Sequence, residues 1–372
     1  MEHDEMIYNA PHFYVSNPIY KNPNLVSTKK ADFCNVDLSK INDGYIQKTK
    51  YIPNIQDYRH QTTFQGFVEG QDSDGNEIRG NWLDYYKVGF RKMVNLSGER
   101  SLICAVLPRR TAHINGVISI SFLNRYDTVD IAALCASIVM DFYWKTVASQ
   151  NITASRIETF PLGVASKYQS AIYSRTLLLN CLTKHYSDLW SDCWREEYAK
   201  ETWSINDARL KSFSGLKEQW EWSTPLRNYF ERRQALVEID VVSAMALGLS
   251  LEDLEMIYNI QFPVLQQNEN DTWYDAKGNI VFTCSKGLTG VGLDRKRDTK
   301  TGMPGWEDIR GEQIDENTYA GASPTHTHTI DPKKSELYGG QQVTYYAPYT
   351  RCERIADYRR AWVHFEKIFN NE

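Results

Sequence analysis

Seven residues, Gly248-Leu249-Ser250-Leu251-Glu252-Asp253-Leu254, constrain this chain more than any other segment. Ser250 and Asp253 have the spacing of a reciprocal N-terminal cap, and Leu249 and Leu254 are placed to staple it. Gly248 just before them suits the left-handed stop of a preceding helix. In that preceding stretch Phe230, Val237, Val241 and Ala244 recur at helical spacing, the pattern of one buried face. The motif therefore predicts two helices joined by a sharp turn, the second ending at Pro263.

The flanking chain is organised differently on each side. Pro11, Pro18, Pro23 and Pro53 interrupt every possible helix in the first 60 residues, which read as an extended segment wrapping along a larger body. Gly70 to Gly80 reads as a polar loop tip. Asp84 to Asn95 suits a short helix, Ser101 to Pro108 a buried strand, and Val117 to Leu123 a strand half-buried on one side. Asp127 to Tyr143 reads as one helix capped by Asp127 or Thr128. Thr272 to Thr283 reads as a hairpin, with Asp275 opening the turn and Gly278 at its left-handed position. Residues 284–350 are loop-rich. The chain closes on a helix whose Ile355, Tyr358, Trp362, Phe365 and Phe369 form an apolar stripe that must dock. The expected class is α+β: a mixed α/β unit over residues 1–163, a helical segment over 164–262, and a hairpin, loop-rich region and final helix over 263–372.

Composition narrows the function classes. Over 372 residues, 42% are hydrophobic, enough for a sizeable core. Aromatic residues reach 13%, which calls for a large aromatic core with a few rings left for recognition. The net charge of −5 excludes a uniformly basic nucleic-acid coat, though not a local basic face. The longest apolar run, Ile131 to Met140, is too short for a bilayer span, and Met1 to Asp4 carries no secretory pattern. Seven scattered cysteines, none in a Cys-x-x-Cys pair, suit reduced thiols in a cytoplasmic protein.

Catalytic and metal patterns are sparse. No glycine-rich phosphate loop or nucleophile elbow occurs. His326 and His328 in Thr325–Thr329 read as a polar loop, since no third metal ligand is nominated. Asp275 and Lys277 are explained by the hairpin turn they occupy. Asn17-Pro18-Ile19-Tyr20 resembles the adenine-holding Asn-Pro-Pro-Tyr of methyltransferases, but Ile19 replaces the second proline and no cofactor strand precedes it, so it reads as coincidence. The positive signals are electrostatic. Residues 87–110 hold six basic residues against one acid, and 284–300 hold five against two, both beside glycine or proline turns.

A resemblance adds to this reading. Gly98-Glu99-Arg100-Ser101-Leu102-Ile103, Leu107-Pro108, His113-Ile114, Ser119 to Phe122, Asp141 to Thr146 and Phe160-Pro161-Leu162 form spaced blocks. With Arg232 to Gly248, Gln261 to Leu265, Asp271 to Gly292 and Pro348 to Phe365, they resemble the C-terminal, target-recognition half of large type IIG-like DNA adenine methyltransferases of restriction–modification and phage-defence systems. The likeness runs from about Phe13 onward. It implies binding to double-stranded DNA and choice of the site. It also implies that S-adenosylmethionine and base modification belong to a methyltransferase domain or subunit elsewhere, with no cofactor and no catalytic residue on this chain. The chain starts where such a region starts, as an excised fragment, a split subunit or a truncated relative would. Candidate phosphate contacts are Arg109, Arg110, Lys145, Lys286, Arg295 and Arg297. Candidate base readers are Asn151, Thr153 and Arg156, in a polar loop after Lys145. The alternative is a protein-interaction scaffold for a partner methyltransferase or nuclease, which the negative net charge favours and the two basic turns disfavour.

Overall fold

A computed structural model describes residues 5–26, 32–52, 65–147 and 151–370. The part of the proline-punctuated N-terminal segment that is described does wrap. It makes short strands β1 (Ile7–Tyr8), β2 (Lys21–Pro23) and β3 (Phe33–Asn35). β2 and β3 pair with each other, and β1 runs parallel to a later strand, aligning Ile7 with Ala112. Phe13, Val15 and Ile19 are buried between these contacts.

Residues 70–80 extend beyond a loop tip: β4 (Gln65–Gln71) and β5 (Glu77–Asn81) form an antiparallel hairpin whose turn is residues 72–76. That turn has a twin in the hairpin at 272–283. In each, an aspartate (Asp72 or Asp275) accepts from two amides further along the turn and from the asparagine four residues on. In each, the intervening glycine has φ +83°, a conformation only glycine takes without strain. Asp275 is fully buried by this role, and Lys277 lies over the Tyr346 ring, as the turn reading of that pair requires.

The expected helix at 84–95 is instead β6 (Lys87–Arg91), the central strand of a three-stranded antiparallel sheet. Its neighbours are β7 (Cys104–Leu107) and, after β8 (Ala112–His113), β9 (Val117–Ser121). Both faces of β6 are covered, so Lys87 is buried beside Val88 and Phe90 and the alternation that marks a half-exposed strand is lost. The helix expected over 127–143 is two helices. α1 (Arg125–Ala136) is capped by Asn124, whose side chain accepts from Tyr126. α2 (Ile138–Val147) starts after Ser137, whose hydroxyl donates to Leu134 O and accepts from Met140 N. The break is held from outside: Arg100 donates to the carbonyls of Ala136 and Ser137, and Asp240 accepts from Ile138 N.

After the short α3 (Ala154–Ile157), α4 (Ser166–Asn180) and α5 (Ser187–Asp192) lead through loops and short turns to α6 (Tyr229–Ala246). The helical content of 164–262 is therefore concentrated at its two ends. α6 ends at Leu247 and Gly248, the latter with φ +74°, and α7 (Leu251–Gln261) begins with the expected reciprocal Ser250–Asp253 cap. Pro263 opens α8 (Pro263–Asn270) instead of a loop.

Beyond it, β10 (Thr272–Tyr274) and β11 (Ile280–Thr283) join a five-stranded sheet. Helix α9 (Trp306–Ile309), β12 (Gln313–Asp315) and β13 (Thr318–Tyr319) follow. His326 and His328, expected in a loop, lie in β14 (Thr325–Thr329), which pairs with β15 (Gln342–Tyr346). β16 (Tyr349–Thr350) completes the sheet. Trp273, Phe282, Trp306 and Tyr349 make this region's own aromatic core.

Helix α10 (Arg354–Phe369) returns to the larger core, which draws residues from Met6 to Phe369. Its Tyr358, Phe365 and Phe369 are buried and its Ile355 and Trp362 pack against that core. Each fully buried ring of this kind contributes about 2 to 3 kcal/mol. The architecture is mixed α+β, and no helix among the described residues is long and apolar enough to cross a membrane.

Candidate functional site: an arginine-walled cavity and an exposed turn

The Arg109–Arg110 pair and the base-reading candidates lie at opposite ends of the three-stranded sheet. Arg109 pairs with Asp188 and lies over the Tyr86 ring, and exposed Arg110 follows it with φ +59°. Both lie at the Leu107 end of the sheet. Asn151 bridges to Met93 just beyond the opposite end, separated by about 20 Å of strand at roughly 3.3 Å per residue. Lys145 is a structural contact: its ammonium donates to Gln261 O at 2.8 Å and sits 4.1 Å over the Phe262 ring, closing the end of α7. Arg295 pairs with Asp271, and Arg297 with Asp308 at 3.1 Å. Lys286 is exposed on a short turn whose neighbours Ser285 and Gly287 line a cavity.

The base-reading candidates do share one feature. Ile152 and Ile157 are fully or nearly buried, while Asn151, Thr153 and Arg156 are exposed. Ile152 N also donates to Lys92 O, and Thr153 starts the single turn of α3. Two apolar pins thus present three polar side chains on a fixed turn.

The cavity, of about 180 Å³, lies where the N-terminal segment, α6, α8 and the 285–288 turn meet. Tyr14, Tyr20 and Asn35 come from the first of these, Arg232 and Arg233 from α6 and Glu269 from α8, while Glu99, from the β6–β7 connection, and Arg354, at the start of α10, complete the wall. Behind its wall runs a buried ionic network. Arg354 holds Asp240 at 2.7 Å and both oxygens of Glu269 at 2.8 and 2.9 Å. Arg233 shares Glu269 at 3.1 Å and pairs with Asp357. Arg100 holds Asp141 at 2.6 Å, whose oxygens also accept from Ser101 N and Leu102 N. Arg227 and Arg232 differ: their guanidinium groups donate to backbone carbonyls, Leu38, Leu182 and Trp222 for one and Ser16, Leu179 and Leu226 for the other, and Arg227 also lies over the Trp222 ring.

Burial and pairing compete in this wall. Burial pushes Glu269 up, but Arg354 and Arg233 outweigh it and hold the carboxyl at about 2. Burial lowers Arg227 and Arg232 to about 10, because carbonyl dipoles stabilise a cation less than a carboxylate does. Glu99, with Asn268 and Ser285 donating to it, is nevertheless raised, burial being the largest cause.

Asn17 and Tyr20 also line the cavity, but the Asn17 side-chain oxygen and the Tyr20 hydroxyl are engaged. Asn17 Oδ1 accepts from Ile19 N at 3.1 Å, and the Tyr20 hydroxyl donates to Gly287 O. The Asn17–Tyr20 segment is a structural turn here, fixed by Ser16 at φ +48° and by stacking of Tyr14 on Tyr20 at 5.0 Å.

Apart from Asn17 and Tyr20, weighed and set aside, none of the cavity residues was nominated from sequence as a site. The usable signal was charge inside an apolar helical stripe: Arg232, Arg233, Glu238 and Asp240 interrupt the buried face of α6, and such residues are buried only when partnered. Among the described residues no group of three or more His, Cys, Asp or Glu side chains could hold a metal ion. No protein-family model, no curated protein and no solved structure matches this chain.

Proposed function

We propose that this chain is the target-recognition part of an adenine-specific DNA methyltransferase system. On this reading S-adenosylmethionine and the base chemistry belong to a methyltransferase domain or subunit, and this chain selects the DNA site. The observation that carries the reading is the pinned turn at 151–157, where a rigid scaffold offers Thr153 and Arg156 to solvent. Exposed polar and cationic groups held in one geometry are what base-edge readout requires. A further support is that the blocks carrying the family resemblance meet in space: Glu99, Arg100, Asp141, Arg233, Asp240 and Arg354 all belong to the cavity wall or its network.

The scaffold reading has its own observation. Arg109, Arg295 and Arg297 already face carboxylates, so those turns present less net positive charge than their sequence suggests. Fluorescence anisotropy on a pool of duplexes at two salt concentrations, with and without a candidate methyltransferase partner, separates the two. Binding that weakens steeply with salt supports DNA recognition. A methyltransferase complex without any DNA binding supports the scaffold.

A further inference from the structure

Five guanidinium groups line the cavity, and they are of two kinds. Arg100, Arg233 and Arg354 each hold carboxylates behind the wall: Asp141 for the first, Glu269 and Asp357 for the second, Glu269 and Asp240 for the third. Arg227 and Arg232 hold none. Arg232 is 8% exposed, and its Nη1 and Nη2 donate to the carbonyls of Leu179, Leu226 and Ser16. Those bonds leave its charge without a carboxylate in contact, whereas a buried charge is ordinarily paired. Glu231, the acid that acts on both guanidiniums, is engaged in the cap of α6, where it accepts from Arg227 N and Asn228 N. Burial lowers both arginines in spite of it.

The wall also offers donors that a ligand can reach. Tyr229, Arg232, Arg233 and Leu236 follow one another at helical spacing, so a single face of α6 is turned to the cavity. On that face the Nε of Arg232 and the hydroxyl of Tyr229 make no hydrogen bond, and both still meet solvent. Tyr274, 6% exposed, brings a second hydroxyl in the same condition from β10. In the free chain water serves these groups, and a ligand oxygen can replace it. A cation without a counter-charge beside uncommitted N–H and O–H donors calls for an oxyanion. Glu99 and Glu269 stand on the same wall and oppose a second negative charge, so a monoanion is favoured, and the planar guanidinium matches a carboxylate. Leu38, Leu236, Leu265 and Leu288 make much of the remaining lining apolar, and a volume of about 180 Å³ leaves room for a short apolar body behind the head group.

We infer that the cavity binds a small organic monocarboxylate, its head group at Arg232 and Tyr229 and its apolar body against the leucines. This inference does not rest on the proposed function, and its test contains no nucleic acid.

The experiment titrates the intact chain by calorimetry with benzoate and isovalerate, a flat and a branched acid. Benzamide serves as the neutral control, benzamidine as the cationic one, acetate as a head group without a body and phenyl phosphate as a dianion. The expected result is saturable binding of at least one of the two acids. Benzamide and acetate should bind at least tenfold more weakly than that acid, phenyl phosphate should also bind more weakly, and benzamidine should give no binding heat. Arg232 is kept intact, because its carbonyl contacts tie the N-terminal segment to α4 and α6. Tyr229→Phe removes one oxygen and should weaken the acid about tenfold, as loss of a hydrogen bond to a charged group does. Leu288→Trp fills the cavity and should abolish binding while the thermal transition stays cooperative. Should Leu288→Trp fail to fold, Tyr229→Phe and the controls still decide. The inference is overturned if neither acid binds the wild type at millimolar concentration, or if benzamide, benzamidine or phenyl phosphate binds as tightly as the acids. It is equally overturned if folded Tyr229→Phe or Leu288→Trp binds the acid as the wild type does.

Discussion

Arg354 Nη1 donates to Asp240 Oδ2 at 2.7 Å across 114 residues of sequence, while the other oxygen of Asp240 accepts from Ile138 N at 2.8 Å. One carboxylate therefore both anchors the final helix and restarts α2 after the break at Ser137. Asp240→Leu leaves Arg354 with Glu269 as its carboxylate partner and strips both Ile138 N and the Tyr358 hydroxyl of their acceptor. Removing one member of a buried pair costs roughly 3 to 5 kcal/mol. Urea denaturation should show a loss of that order, and hydrogen exchange should quicken at the first amides of α2 before it quickens in α6. Unchanged exchange there would separate the helix break from Asp240.

Glu269 sets an acid limit on stability. Its carboxyl falls from an ordinary 4.5 to about 2 in the fold. A depressed carboxylate contributes fully above its unfolded value and loses that contribution as pH falls from about 4.5 through about 2. At 1.36 kcal/mol per pH unit the contribution is about 3 kcal/mol. Glu269→Gln should lower stability at pH 7 and flatten the acid limb between pH 4.5 and 2, read from denaturant midpoints across that window. An acid limb as steep as the wild type's would place the effect in another carboxylate.

Lys87 works in the opposite direction. It is fully buried on the central strand, with Trp82 4.5 Å below its ammonium and Tyr85 O as its hydrogen-bond acceptor, and burial lowers it to about 7. The unfolded chain holds this proton up to about 10.5, so the unfolded state binds more protons between pH 7 and 10.5. Folding stability at this residue therefore rises with pH through that window. Lys87→Met keeps the length and removes the charge. It should raise the melting temperature at pH 7 by an amount corresponding to at least about 1 kcal/mol, and that gain should shrink toward pH 10.5.

DNA binding, under the proposed function, should divide between reading and positioning. Arg156→Ala should cost roughly 1 to 3 kcal/mol on a preferred site and little on random duplex. Asp188→Asn removes the carboxylate that faces Arg109. It should tighten binding to all sequences and steepen the log–log salt slope by about 0.9. Anisotropy at two salt concentrations reads both effects, and an Asp188→Asn variant indistinguishable from the wild type would take Arg109 out of the interface.

Ser250→Ala tests the helix joint. The hydroxyl accepts from Asp253 N at 3.1 Å, and its loss should cost about 1 kcal/mol. The denaturation midpoint should fall accordingly without any change in the denaturant slope.

What the sequence determined by itself was confined to features whose partners lie within about four residues. The Ser250 cap, the Gly248 stop, the Asp275–Gly278 turn and the stripe of α10 depend on neighbours along the chain, so their residue types and spacing suffice. Tertiary structure decided the rest. Lys87–Arg91 is a strand because β7 and β9 pair on either side of it, although Asp84 to Asn95 suited a short helix. The 125–147 stretch breaks at Ser137 because Arg100 and Asp240, from distant segments, bind the backbone groups the break exposes. The cavity was hidden for the same reason. Its wall is assembled from charged residues whose partners are distant in sequence, and Arg233, Glu269 and Arg354 meet through the packing of α6, α8 and α10, where a low-dielectric interior favours pairing of buried charges.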